Sequence, residues 1–430
     1  MLNVELSNIW SCVSLPDLLS REKELFDAHL HLRNNQPGMP QYLGWLGQSD
    51  ALTSRALHAV RAAADAIRAC GDTLVVLGMA DACRAAEAAI RLLCGAGRGE
   101  GVRVLFAGNS FSGQAWTELC AALEGHDFCL HLVSPSGTET ETAVASRALR
   151  WMMERRYGAE TKTRIFVSAL ADTPMAQMAK EEGYTFLPLP SQPGGAGSAL
   201  STAALLPMAA AGIDPLEILE GAAEGYRQYD LRAFENPVWM YAGARYALYC
   251  KGRTTELLGT FESAFAPFGA WWAQWTLRHA CQDGAGVLPM PMELSGALDA
   301  MDPMLCSGRY PLFETLVRFA PLCTQRFGVE MDWKDYDGLD YLAEKTVAEV
   351  EQATFQAMLE THAAADVPVI VLEGETLNAQ SFGELLYFFE LAGAIFACAC
   401  GIDPFDLPGE LPTRRAAAEL LGRGESAPQK

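Results

Sequence analysis

Short apolar runs alternate with helix-period segments along the first half of the chain. Thr73 to Leu77 reads as a short buried strand, and Arg103 to Ala107, Phe128 to Val133, Ile165 to Ser168 and Tyr184 to Leu189 read as further strands. Between them, Ala51 to Ala69, Ala82 to Leu93, Gln114 to Leu123, Ala143 to Arg155 and Pro174 to Glu182 carry apolar residues at helical spacing. Such alternation predicts an α/β fold with a mainly parallel sheet covered by helices on both faces. Ligands of such sheets bind at the carboxyl ends of the strands, so the loops after Leu77, Ala107 and Val133 are the places to look for chemistry.

Helices continue over Ala203 to Ala211, Pro215 to Tyr226 and Pro237 to Lys251. A second α/β pattern begins near residue 255. Its strands are Val287 to Met292, Leu312 to Phe319 and Val367 to Glu373, and its helices Gly338 to Thr361 and Gln380 to Ala399. The expected division is a helical extension over 1–50, a first α/β domain over 51–200, a helical connection over 201–254, a second domain over 255–411, and a C-terminal helix and tail over 412–430.

Composition narrows the partners. The chain has 430 residues, half of them apolar, which is enough for two sizeable cores. No transmembrane helix or signal peptide is expected, and the setting expected is cytoplasmic. A net charge of −21 repels nucleic-acid backbones and anionic membranes, so neither is expected as a partner. The twelve cysteines show no C-x-x-C and no ligand spacing with histidine, so reduced thiols, no metal and no cofactor are expected. His29 and His31 stand two apart and would face different sides of a helix.

Ser134-Pro-Ser-Gly-Thr-Glu-Thr-Glu-Thr142 follows a strand and opens a helix. Hydroxyls and free N–H groups there suit an anion, which makes Ser134, Ser136, Gly137, Thr138 and Thr140 the candidate ligand-binding residues. The same hydroxyls could simply cap the helix.

This loop resembles the phosphate loop of sugar-isomerase (SIS) domains, and more closely the S-K-S-G-T-T-T-E loop of the phosphoglucose (glucose-6-phosphate) isomerase family. Other segments resemble that family in order: Tyr42-Leu-Gly-Trp-Leu46, Phe106-Ala-Gly-Asn-Ser-Phe-Ser-Gly113, Gly194-Gly195 with Leu205-Leu-Pro207, and Glu235-Asn-Pro237. Further on come Trp271-Trp272, Leu312-Phe-Glu-Thr315, Asp337-Gly-Leu339, Tyr387-Phe-Phe-Glu390 and Asp403-Pro-Phe-Asp406. The resemblance is to the short bacterial form and runs from about Pro16 to Gly422. It implies two SIS-type, flavodoxin-like domains, a homodimer with clefts at the subunit interface, and a small anionic sugar as ligand. The implied activity is aldose–ketose isomerisation of glucose 6-phosphate and fructose 6-phosphate in glycolysis and gluconeogenesis, with a carboxylate passing a proton through an enediolate.

The positions that resemblance marks for chemistry hold other residue types. Arg278 stands where the family's proton-shuttling glutamate falls, and a guanidinium is not deprotonated in a protein. Asp299 replaces the ring-opening histidine, Arg414 the lysine, and Ala196 the enediolate-stabilising arginine, followed by Gly197. In the first glycine loop, Gly78-Met-Ala-Asp-Ala82 puts Ala80 and Asp81 where glycines are expected and Ala82 where a serine is. Asp81 is expected to cap the following helix. In the phosphate loop Pro135 replaces the lysine and Glu139 a threonine.

Glu139 decides between two outcomes. A carboxylate about 4 Å from a phosphate charge costs roughly 4 kcal/mol at an effective dielectric near 20. A hydroxyl hydrogen bond returns only about 1 kcal/mol. Turned inward, Glu139 prevents phosphate binding; turned outward, it leaves Ser134, Ser136 and Thr138 able to bind weakly. Arg278, Arg414 and Arg415 either converge on an anionic ligand or are spent on neighbours such as Asp299 and Glu293. His362, where short family members also carry histidine, reads as structural. Three classes remain: a pseudoenzyme, an isomerase working with substitute residues, and a different reaction in the same cleft.

Overall fold

The structure, a computed structural model, describes residues 2–33, 55–78, 81–95, 101–137, 139–191, 198–307, 310–320, 327–406 and 412–422. Its strands, in chain order, are β1 (Asn3–Glu5), β2 (Thr73–Leu77), β3 (Arg103–Ala107), β4 (Phe128–Val133) and β5 (Ile165–Ala169). They continue as β6 (Thr185–Pro188), β7 (Thr255–Thr260), β8 (Leu288–Glu293), β9 (Leu312–Phe319) and β10 (Val369–Gly374). The first sheet has the order β3-β2-β4-β5-β6, and every pairing in it is parallel. The second has the order β1-β10-β9-β7-β8, parallel except where β1 joins β10 antiparallel. Two parallel sheets flanked by helices are the expected α/β class.

Strands β2, β4 and β5 are buried at every position, as a sheet covered on both faces requires. Two expectations change. The N-terminal stretch opens with a strand, because Asn3–Glu5 continues the ladder of the second sheet by pairing with Val371, Leu372 and Glu373. The helix expected from Gly338 begins only at Val347. Thr346 and Glu349 form a capping box that sets that start, and Glu344 just before it has φ of +71°, which a helix cannot carry.

Helix Ala379–Ala399 is long and apolar enough to cross a membrane by length and composition, yet 83% of its most apolar window is buried inside the protein. It lies against Pro215–Gln228 so closely that a Cβ on Gly221 would meet the Gln380 carbonyl oxygen at 1.7 Å, and one on Gly383 the Ile218 oxygen at 1.9 Å. Trp239, Tyr241, Trp271 and Trp272 are buried in the chain's own core.

One buried ion pair ties the helical layer to the second sheet. Glu256 on β7 accepts from Arg245 Nε at 2.8 Å, Tyr241 Oη at 2.8 Å and Thr315 Oγ1 at 2.7 Å, and Arg245 Nη2 lies 2.7 Å from it. Each of these groups is within 1% of complete burial. Removing one partner strands the other charge, so Glu256→Gln should destabilise the protein by about 3–5 kcal/mol. Urea unfolding measures it; a loss below about 1 kcal/mol would show that Arg245 finds another partner.

Candidate functional site

In the first sheet the chain steps from β2 outward to β3, then returns to place β4 on the other side of β2. The loops after β2 and β4 therefore flank the switch-point crevice. After β4, Ser134 Oγ donates to Glu139 Oε2 in a very short hydrogen bond. Ser136 Oγ donates to Glu139 Oε1 at 2.8 Å, and Gly137 N donates to Ser134 Oγ at 3.0 Å. Gly137 makes this turn with φ of +76°, and a Cβ there would also press on Met175 at 3.2 Å. Glu139 is thus turned inward. It occupies the N-cap position of helix Thr140–Tyr157 without capping it by its side chain. The hydroxyls of Ser134 and Ser136 hold a carboxylate of their own chain.

Around the same helix start, Thr140 is exposed and Arg414 Nη2 lies 3.6 Å from Glu141 Oε2. Thr138 and Ala196, both named from the sequence, lie outside the described residues, as do Ala80, Gly197 and Tyr42 to Leu46.

On the other side of the crevice, helix Asp81–Cys94 of the first lobe packs on helix Ala266–His279 of the second. Asp81 was expected as a cap, but its carboxylate points across this contact and is only 1% exposed. Gln274 Nε2 donates to Asp81 Oδ1 at 2.6 Å, Arg278 Nη1 lies 3.6 Å from Oδ2, and His279 Nε2 lies 3.4 Å from Oδ2. Burial pushes the Asp81 carboxyl up, but the His279 hydrogen bond, the Arg278 charge and Gln274 together hold it below the usual carboxylate range. The second ring nitrogen of His279, Nδ1, is 2.5 Å from the Pro404 carbonyl oxygen, and the ring stacks on Trp275. Arg278 is therefore spent on Asp81, a partner the sequence had not suggested; Glu293 instead accepts from the amides of Ser295 and Gly296.

Glu390 completes the buried set. It stands 3% exposed on the core helix, with Oε1 3.5 Å from Ala199 N and Oε2 without a hydrogen-bond partner. Burial raises its pKa to about 8, against the Ala199 hydrogen bond and with help from the Asp81 charge. The fourth family-equivalent position, Asp299, is exposed in the first turn of helix Leu298–Leu305, on the second lobe. The structure brings Arg278 to Asp81 and Arg414 to Glu141, and leaves Asp299 on the surface. A cavity of about 520 Å³ lies at the corresponding end of the second sheet, lined by Thr260, Phe261, Arg318 and Glu373 among others. Arg318 there is already engaged by Gln352 at 2.6 Å and Glu351 at 3.6 Å.

Sequence reasoning missed Asp81, Gln274 and Glu390 as members of one set. Asp81 had a positional signal, being the first helical residue after β2, and Glu390 was a carboxylate set among apolar residues of its helix.

A doubly wound pair of parallel sheets with a serine loop at the first switch point defines a two-lobed α/β protein of the sugar-isomerase (SIS) type. Comparison with known proteins makes the assignment finer. The chain is 34% identical over 392 residues to the glucose-6-phosphate isomerase of Bacillus cytotoxicus, covering 89% of this chain and 87% of that protein. It is 32% identical over 432 residues to that of Clostridium perfringens, covering 98% and 96%. The chain belongs to the glucose-6-phosphate isomerase family. No family model matches it. Among solved structures it superposes with a TM-score of 0.83 on a hypothetical protein from Thermus thermophilus, at 20% identity, covering 98% of this chain and 100% of that one. It superposes with 0.73 on a glucose-6-phosphate isomerase from Chlamydia trachomatis, at 14% identity, covering 98% and 88%, which speaks for the fold alone.

The Glu390 shift has a thermodynamic consequence. Its folded pKa of about 8 exceeds the ordinary 4.5. Its contribution is therefore fully present below about 4.5 and is lost as pH rises through about 8, since the unfolded chain ionises first. Glu390→Gln removes that loss. Relative to the variant, the native protein should weaken by roughly 3–5 kcal/mol between pH 4.5 and pH 8.5. Denaturant unfolding of both proteins across that range measures it; parallel stability curves would place the Glu390 carboxylate in water.

Proposed function

We propose that this chain is a non-catalytic member of the family, a pseudoenzyme whose substrate crevice is filled by its own carboxylates. The observation that carries the proposal is Glu139, which accepts hydrogen bonds from both Ser134 and Ser136 inside the loop expected to hold phosphate. Binding a sugar phosphate there requires expelling a bonded carboxylate or placing a second anion beside it, at roughly 4 kcal/mol per pair of charges 4 Å apart.

The proton-handling positions support the same conclusion. Arg278 cannot serve as a base and is paired with Asp81. His279 and Asp81 form an imidazole–carboxylate pair, but both are nearly buried and turned into the contact between lobes. Each missing acid or base group removes about 10² to 10⁴ in rate, and the missing cation at Ala196 removes electrostatic stabilisation besides. The role that remains is binding or scaffolding in a homodimer. An arm of the second lobe supports the dimer: it exposes Phe327, Met331, Trp333, Tyr336 and Tyr341, each more than half accessible, a surface that suits a second copy of the chain.

A coupled assay with pure protein tests the proposal. Turnover between glucose 6-phosphate and fructose 6-phosphate is expected to stay below about 1 s⁻¹, the lower end of ordinary enzyme rates. The triple variant Arg278→Glu, Asp299→His, Arg414→Lys should stay inactive until Glu139→Thr and Ala196→Arg are added. Light scattering on the same preparation should give the mass of two chains. Ordinary turnover by the native protein or the triple variant, or a monomer mass at micromolar concentration, would contradict the corresponding part.

A further inference from the structure

The second lobe holds a cluster of side chains that the crevice does not use. Asp302 lies in helix Leu298–Leu305 and Cys306 closes it, four residues on, so both face the same side. His362 comes from the last turn of helix Val347–Ala364 and is fully buried. Its Nε2 stands 2.8 Å from Asp302 Oδ1, and one ligand atom each from Asp302, Cys306 and His362 lie within 4.8 Å of one another. Behind the ring, Nδ1 meets Glu314 Oε2 at 2.6 Å. Glu314 sits on β9 with no exposed surface, and its other oxygen, Oε1, has no hydrogen-bond partner.

We propose that Asp302, Cys306 and His362 bind one divalent transition-metal ion of the zinc type, with Glu314 orienting His362 from behind. The donor set is one nitrogen, one sulfur and one oxygen, which zinc accepts and magnesium or calcium does not. Metal–ligand bonds of about 2.0 to 2.3 Å place tetrahedral donors roughly 3.3 to 3.7 Å apart, so Asp302 and His362 need separate by only about 0.5 Å. A carboxylate bonded to Nδ1 fixes the tautomer that presents the Nε2 lone pair to a metal. Asp302 keeps 39% of its side chain exposed, which leaves the fourth position to water.

The charges balance as well. The Asp302 carboxylate and the Cys306 thiolate supply two negative charges to a dication, and the imidazole binds as a neutral ligand. On binding, the Cys306 thiol loses its proton to solvent, any proton shared by His362 Nε2 and Asp302 follows, and Nδ1–H stays bonded to Glu314. The ligands are unrecognisable as a motif in the sequence because His362 arrives from a distant helix.

The test uses the full chain, stripped with a chelator under reducing conditions and titrated with cobalt(II). One equivalent should bind and give a thiolate-to-cobalt charge-transfer absorption, which added zinc(II) abolishes. Cys306→Ser should lose that band. Asp302→Asn should weaken zinc binding at least about 10-fold, and Glu314→Gln by about 10 to 100-fold. No band in the native chain, or an undiminished band in folded Cys306→Ser, would overturn the site and leave His362 as a bridge between two carboxylates. If circular dichroism shows Cys306→Ser unfolded, Asp302→Asn decides on the half-exposed ligand: unchanged zinc affinity overturns the proposal.

Discussion

The crevice of this protein is governed by charge neutralisation from within. A switch-point crevice gathers hydrogen-bond donors and cations at the carboxyl ends of parallel strands, and those donors need an anion. Here the chain supplies the anions. Glu139 takes the two serine hydroxyls, Asp81 takes Gln274, Arg278 and His279, and Glu141 faces Arg414. Side-chain carboxylates attached to the same backbone are present at an effective concentration no free ligand matches. Once they are seated, the lobes gain a polar clamp between helices Asp81–Cys94 and Ala266–His279, and an incoming anion meets like charge.

The same reasoning explains which family segments are retained. Asn236 caps helix Pro237–Cys250, accepting from Val238 N and donating to the carbonyls of Tyr229 and Leu231. Thr315 reaches the buried Glu256, while Glu314 holds His362. Trp271 and Trp272 fill the core, and Tyr387, Phe388 and Phe389 lie inside the central helix. Each of these residues satisfies a buried polar group or fills volume, so its replacement would be costly whatever the crevice does.

Much of this was legible from the chain. Strands β2, β4 and β5 were readable because fully buried parallel strands are near-continuous apolar runs. The loop after β4 stood out by its hydroxyls. Less was legible where tertiary context decides. The strand at Asn3–Glu5 has no pattern of its own and exists because β10 offers an edge. The orientation of Glu139 could not be read from one residue type, since an inward and an outward rotamer have the same sequence. Asp81 resembled an ordinary helix cap because its partners lie almost two hundred residues away, Gln274 and Asp81 being 193 apart. Arg278 was identified as a departure, but its partner was not.

Calorimetry with inorganic phosphate and glucose 6-phosphate, on the native protein and on Glu139→Gln, tests internal neutralisation most directly. The amide keeps the shape of the side chain and removes its charge. The account predicts no binding heat at millimolar ligand for the native protein, and binding strengthened at least about 10-fold in the variant, a difference of roughly 1.4 kcal/mol or more. Equal affinity in both proteins, with tight binding by the native chain, would show that Glu139 yields its place and that the crevice still accepts an anion.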